Sequence, residues 1–293
     1  MRPALAAACL FALPAAADDK PAADPKAAAV ATLKRVNPEA APATAETDDL
    51  VLAWPASPGT RGPALATAAQ KAFGVAKAAL KFEGNETLWP GKLTVFVLPS
   101  AVQYAAFVRV VEGRRADKGA WHALNTRAEA PYVVVSPGRG EKPTDAEQQQ
   151  DVGTLVGAAL VTRKGGATPQ NPLPEWLALG FGRAMTAQAE GGSRLTNYRA
   201  KAKAAVVGGK GRPGVRLADV WSGTAVKDAD LAAASLAEFL ATGPAADRFG
   251  KFLNGFKPAE NGDPGTVAQA LEAADWKPET LEAAWKRWVA TGK

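Results

Sequence analysis

The stretch Lys92-Leu-Thr-Val-Phe-Val-Leu-Pro99 constrains this chain more than any other. It is β-branched and apolar on both faces, without the alternation of a half-exposed strand, and so predicts a strand buried on both sides. The segments around it fit a sheet. "DDLVLAWP" predicts a preceding strand closed by Pro55, and "SPGTRGP" is a turn cluster. Leu65, Ala69, Ala72, Phe73, Ala76 and Leu80 then recur at helical spacing, giving an amphipathic helix from Pro63 to Phe82. Ser100 is placed to cap a helix carrying Tyr104, Phe107 and Val108. Beyond the basic loop "EGRRADKG", "AWHALNTR" and "PYVVVSP" predict two neighbouring strands joined by "AEA".

From Thr144 onward the pattern is helical. Thr144 and Glu147 form a T-x-x-E capping box ahead of the stripe Val152, Leu155, Val156, Ala159 and Leu160. Further helices are expected at Pro174 to Gln188, near Asp219, at Asp228 to Thr242, around Phe249, around Ala268, and at Pro278 to Val289. In the last, Glu282 precedes Lys286 by four residues as a supporting pair. Strands first and helices afterwards indicate α+β, with a strand-rich part over 48–140 and a helical part over 141–293.

Ahead of this domain, Arg2, the apolar run Ala4 to Leu13 and the small residues Ala15 to Ala17 read as a secretory signal peptide cut after Ala17. Ala6-Ala7-Ala8-Cys9 loosely resembles a lipobox, but too few residues precede Cys9 for a lipoprotein signal. The expectation is therefore an exported, soluble protein without a transmembrane segment after cleavage. Its only cysteine leaves with the signal, which removes disulfides and thiol chemistry from consideration. Residues 18–47, rich in Ala, Pro, Lys and Asp, are expected to be a flexible tether. The formal charge of +6 is mostly interspersed with acids; in an exported protein it suits anionic envelope polymers better than nucleic acid.

Isolated motifs carry little chemistry. His122 is the only histidine, so a zinc site of several imidazoles has no second ligand of that kind, and a structural or surface imidazole is the expectation. No G-x-S-x-G elbow accompanies it. Gly209, Gly211 and Gly214 spell G-x-G-x-x-G in "GGKGRPG", but Pro213 and a helical background predict a solvent loop rather than a dinucleotide site. A glycosidase-like carboxylate pair would be made in space and is invisible in sequence.

Two successive helices stand out: "TDAEQQQDVGTLVGAALVTR", the loop "KGGATPQNP", and "LPEWLALGFGRAM". The pair resembles the gluzincin metallopeptidases of the peptidase MA type, in particular exported peptidase-MA-like domains. In that family the first helix carries HExxH and the second begins LPxWLxEG, whose glutamate is the third zinc ligand. Leu173, Pro174, Trp176, Leu177 and Gly180 match the second motif. "KLTVFVLPSAVQYAAF", "VRLADVWSG" and "ETLEAAWKRWV" extend the resemblance over roughly Asp48 to Val289.

The resemblance implies a gluzincin-like fold, yet the reactive positions depart from it. Aligning the apolar stripes puts Gly153 and Gly157 at the two histidines, Thr154 at the catalytic glutamate and Leu179 at the third ligand. Glu175 stands at a variable position. A former cleft whose metal site Leu179 fills with hydrocarbon is one expectation. A plainer one is that Gly153 and Gly157, four apart and on one face, let another helix approach. The two are compatible. The implied protein is an inactive relative of these peptidases, with no cofactor and no metal. It would bind peptide or an anionic envelope polymer, using Trp176, Glu175 or a neighbouring strand edge. The competing classes are an exported hydrolase using carboxylates without zinc, and a structural envelope protein.

Overall fold

A computed structural model describes residues 24–56, 62–82, 86, 88–126, 130–137, 143–168, 171–209, 211–223, 226–258 and 263–292. The expected signal peptide, Cys9, most of the turn cluster after Ala56 and part of the "AEA" connection lie outside them. The chain is α+β, with a small mixed sheet followed by a helical C-terminal part.

The sheet holds β1 (Pro42–Glu46), β2 (Leu50–Pro55), β3 (Leu93–Val97), β4 (His122–Asn125) and β5 (Tyr132–Val135) in the order β1-β2-β3-β5-β4. β2, β3 and β5 run parallel, while β1 and β4 close the two edges antiparallel. β3 sits at the centre with all five residues buried, as its apolar composition predicts. Leu93, Val95 and Val97 join the core built with α2 (Gly62–Ala79) and α4 (Asp145–Lys164). Phe96 joins the opposite core, with α1 (Pro25–Val36) and α3 (Ala101–Val111).

Helix α1 and strand β1 correct the expected tether, because residues within 18–47 form a helix and a strand packed on the domain. The Asp24 side chain accepts a hydrogen bond from Lys26 N, Pro25 opens the helix, and Ala29 and Leu33 are buried against the sheet. β1 then pairs along β2 from Pro42↔Pro55 to Glu46↔Val51. Lys26 and Lys92 meet the Glu46 carboxylate at 2.5 and 2.8 Å, and their hydrogen bonds hold its pKa down at about 2. Alanine-rich composition reads as disorder when apolar mass is counted. Alanine is also the best helix former, and two docked side chains suffice to seat such a helix.

The C-terminal part comprises α5 (Glu175–Glu190), α6 (Gly192–Val207), α7 (Leu217–Trp221), α8 (Ala229–Thr242), α9 (Ala246–Asn254), α10 (Val267–Ala273) and α11 (Pro278–Thr291). The capping box on α4 forms as predicted. α6 has no counterpart among the expected helices. It buries only Tyr198, Ala202, Ala205 and Val206, which is too faint a stripe to show in sequence. The G-x-G-x-x-G residues belong to a small hairpin, β6 (Gly208–Gly209) with β7 (Arg212–Pro213). A side chain at Gly214 would collide with the Val206 carbonyl.

Helix α5 is clamped on two sides by glycine. A methyl at Gly157 of α4 would stand 2.7 Å from Gly182 Cα, and one at Gly153 would stand 2.7 Å from Thr186 Oγ1 and 3.3 Å from Ala72 Cβ. A methyl at Gly182 would strike the Thr154 carbonyl, and one at Gly180 would lie 2.8 Å from the Ala233 carbonyl of α8. The Thr186 hydroxyl turns back to donate to Gly182 O at 2.8 Å, so it needs no partner on α4. Each mid-helix glycine costs about 1 kcal/mol relative to alanine. Backbone-to-backbone dispersion along the contact offsets that cost.

Gly182→Ala should therefore destabilise the protein by about 2–3 kcal/mol or prevent folding, since its methyl overlaps main chain that cannot rotate away. Gly74→Ala, on the exposed face of α2 with nothing within 4 Å of the added methyl, should stabilise by about 0.5–1 kcal/mol. Urea unfolding of both variants checks the pair; equal effects would contradict the close contact.

Candidate functional site

The segment "NPLP" docks the start of α5. Asn171 is buried and its amide donates to Phe256 O at 2.8 Å, while Leu173 is buried against Gly165. Pro174 then enters α5 with Leu177 turned fully into the core. That orientation leaves Glu175 exposed and Trp176 and Leu179 half-buried, looking out of the molecule.

Glu175 and Leu179 border two cavities of about 860 Å³ each, and Trp176 borders one of them. One is a groove along the sheet edge, lined by His122, Leu124 and Asn125 of β4 and by Arg114, Thr162 and Leu173. The other lies beyond α5 and is walled by Trp121, Trp176 and Trp221, with Arg183, Asp219 and Asp230 at its polar parts. Glu175 and Leu179 line both, so the cavities adjoin in one cleft.

The expected constellation is only partly assembled there. Gly153 and Gly157 line neither cavity; they face Thr186 and Gly182 inside the helix contact, and Thr154 is buried beside them. Leu179 does not fill a closed hole next to them, as the hydrocarbon-plug expectation required, but sits half-buried at the cleft. The physical reason is helix rotation. The face of α4 carrying both glycines is pressed onto α5, and residue 179 lies a turn before the contact at Gly182. The plainer reading of the glycine pair is the one the contacts display. Trp176, Glu175 and Leu179 do converge, and Trp121, Trp221 and Leu124 join them unannounced. "AWHALN" and "VWSG" carried those tryptophans, but nothing in their spacing tied them to "PEWL".

β4 is the outer strand of the sheet, and its register fixes which backbone groups face away. Ser136 N donates to Trp121 O at 2.9 Å across the ladder, so residues 121, 123 and 125 bond toward β5. His122 and Leu124 point their N–H and C=O outward. The Tyr104 hydroxyl donates to His122 O at 2.6 Å, and Trp89 Nε1 donates to Thr126 O at 3.2 Å. Leu124, between them, receives no backbone bond on its outer side from a described residue.

The electrostatics are mixed. Arg183 pairs with Asp230 at 3.2 Å and Asp219 with Arg216 at 2.7 Å, while Glu175 makes no ion pair with a described residue. Burial pushes the His122 imidazole below its ordinary pKa, with Glu175 pulling weakly the other way, so it is neutral at neutral pH. Its ring packs on Trp121 at 4.6 Å between centroids. Among the described residues no three His, Cys, Asp or Glu side chains gather as a metal site. No helix among them is long and apolar enough to cross a membrane.

No protein-family profile matches the chain, and no curated protein matches its sequence.

Behind the cleft, burial raises the Asp151 carboxyl to about 6, against the attraction of Arg183 and with the repulsion of Glu147 adding to the rise. The folded state thus holds this proton more tightly than the unfolded chain, whose aspartates titrate near 4. The stability it contributes is full below about pH 4 and is lost as pH rises to about 6. Asp151→Asn should be more stable than the parent at pH 7 by about 1–2 kcal/mol, after allowance for partial solvent screening. The gap should close by about pH 4. Thermal melts of both proteins across pH 4–7 test this; a variant less stable at pH 7 would show that the Arg183 attraction dominates instead.

Proposed function

We propose that this is an exported, non-catalytic binding protein on a peptidase-MA-like scaffold, and that it holds an extended peptide against the outer edge of β4. The observation that carries the reading is the outward-facing N–H and C=O of Leu124, without a partner among the described residues, at a groove of about 860 Å³. An added strand would exchange two main-chain hydrogen bonds with Leu124, and adjacent side chains would fall alternately into the groove and away from it. Tyr104 and Trp89 already occupy the carbonyls at positions 122 and 126. The peptide is therefore pinned at one residue rather than zipped along a long edge, which also guards this edge against unwanted sheet pairing.

Three features support the scaffold half of the proposal: the antiparallel strand at the sheet edge, the α4–α5 pair beside it, and the docked "LPEWL" turn between them. The non-catalytic half rests on the side chains themselves. Glycines at 153 and 157 and threonine at 154 offer neither a zinc ligand nor a general base, and the contact with α5 has no volume for larger residues at the glycines.

Selection of a displayed heptapeptide library on the purified protein tests the binding site. Enriched peptides should lose at least about tenfold in affinity against Leu124→Pro, in line with about 1.4 kcal/mol for the lost main-chain bond. That variant should still fold, because the missing N–H faces outward. Ala123→Pro, whose N–H bonds to β5, should instead destabilise by about 3 kcal/mol. Peptides bound equally well by Leu124→Pro would contradict the proposal.

A further inference from the structure

Beyond the peptide groove, and independently of it, we propose that the cavity between Trp121, Trp176 and Trp221 is a binding site for a neutral oligosaccharide. Three observations converge on that chemistry. The first is composition: three half-buried indoles from three separate segments, the approach to β4, the first turn of α5 and the end of α7, wall one open cavity. Each indole offers a broad apolar face, which suits the C–H face of a pyranose ring.

The second is unmet hydrogen bonding. Among the described residues, five buried side-chain N or O atoms lack a partner; two of them, Trp176 Nε1 and Trp221 Nε1, belong to walls of this cavity, and a third, His122 Nδ1, lies at the adjoining groove. Buried polar atoms are nearly always paired, so a concentration of exceptions at one place calls for a missing partner. Neither indole N–H reaches solvent in this conformation. Meeting a ligand hydroxyl would require either ring to turn its N–H toward the cavity. An alkyl or aryl side chain would leave both donors unmet, whereas a sugar supplies hydroxyl oxygens beside its apolar face.

The third is the arrangement of charge. Arg183 and Asp230 neutralise each other across 3.2 Å, and Asp219 is held by Arg216. Glu175 remains as an acceptor without an ion pair among the described residues, and the exposed Lys227 lines the same cavity. With one charge of each sign outside any ion pair among the described residues, the site offers hydrogen-bond acceptors and donors without a net field that would select an anion or a cation. A volume of about 860 Å³ holds two to three sugar rings, within the ordinary range of ligand cavities.

Titration of the full mature chain with β-1,4-linked glucose and N-acetylglucosamine hexamers, read by calorimetry and tryptophan fluorescence, tests the inference. At least one hexamer should bind with a Kd in the micromolar to low-millimolar range and shift the emission, since indole environments change. Trp221→Ala and Glu175→Gln should each weaken binding at least about fivefold. Trp221→Leu keeps the test decisive if the alanine variant fails to fold. Leu124→Pro should bind the hexamer normally, which separates this site from the peptide groove. Absence of binding by both hexamers at 10 mM, a Kd unchanged in the Trp221 and Glu175 variants, or displacement by aromatic peptides in place of any sugar binding would overturn it.

Discussion

The backbone contact between α4 and α5 is the constraint on which the other features depend. Gly157 meets Gly182 and Gly153 meets Thr186, so two helices lie closer than any pair bearing side chains at those positions could. Once α5 is pinned there, and against the Ala233 carbonyl of α8 through Gly180, its rotation is fixed. Leu177 and Phe181 go to the core, and Glu175, Trp176 and Leu179 are left at its exposed N-terminal end. The cleft is the outer consequence of an inner contact.

This arrangement gives physical content to the absence of peptidase side chains at the expected positions. A zinc site between two helices needs room for imidazoles on the face of α4 that looks into a cleft. Here that face is closed by packing, and the open surface lies on the other side of α5, toward β4 and α7. The two proposed ligands divide that surface by its chemistry: main-chain groups at the strand edge, indole faces beyond α5.

Much of the framework was legible because it rests on strong local signals. "KLTVFVLP" announced a doubly buried strand and occupies the sheet centre; Ser100 and the Thr144–Glu147 box announced helix starts that form as read. Where the reading failed, the deciding energy was weak or distributed. Helix α1 is held by Ala29, Leu33 and a few polar contacts, and α6 by one tyrosine and small residues, so neither rises above an alanine-rich background. The cleft was half legible. Trp176, Glu175 and Leu179 were singled out and do meet, but Trp121 and Trp221 reach them only through the tertiary fold. Gly153 and Gly157 stand out as a pair in the sequence, and only the fold shows that Gly157 faces Gly182 while Gly153 faces Thr186.

The close α4–α5 contact at Gly153 and Gly157 leaves no place for a metal site between these helices. Zinc content of the protein, purified with excess zinc and measured by elemental mass spectrometry after exhaustive buffer exchange, tests this most directly. The expected result is far less than one zinc per chain and no chelator-sensitive proteolysis in the same preparation. One tightly held zinc per chain, with proteolysis abolished by its removal, would contradict it.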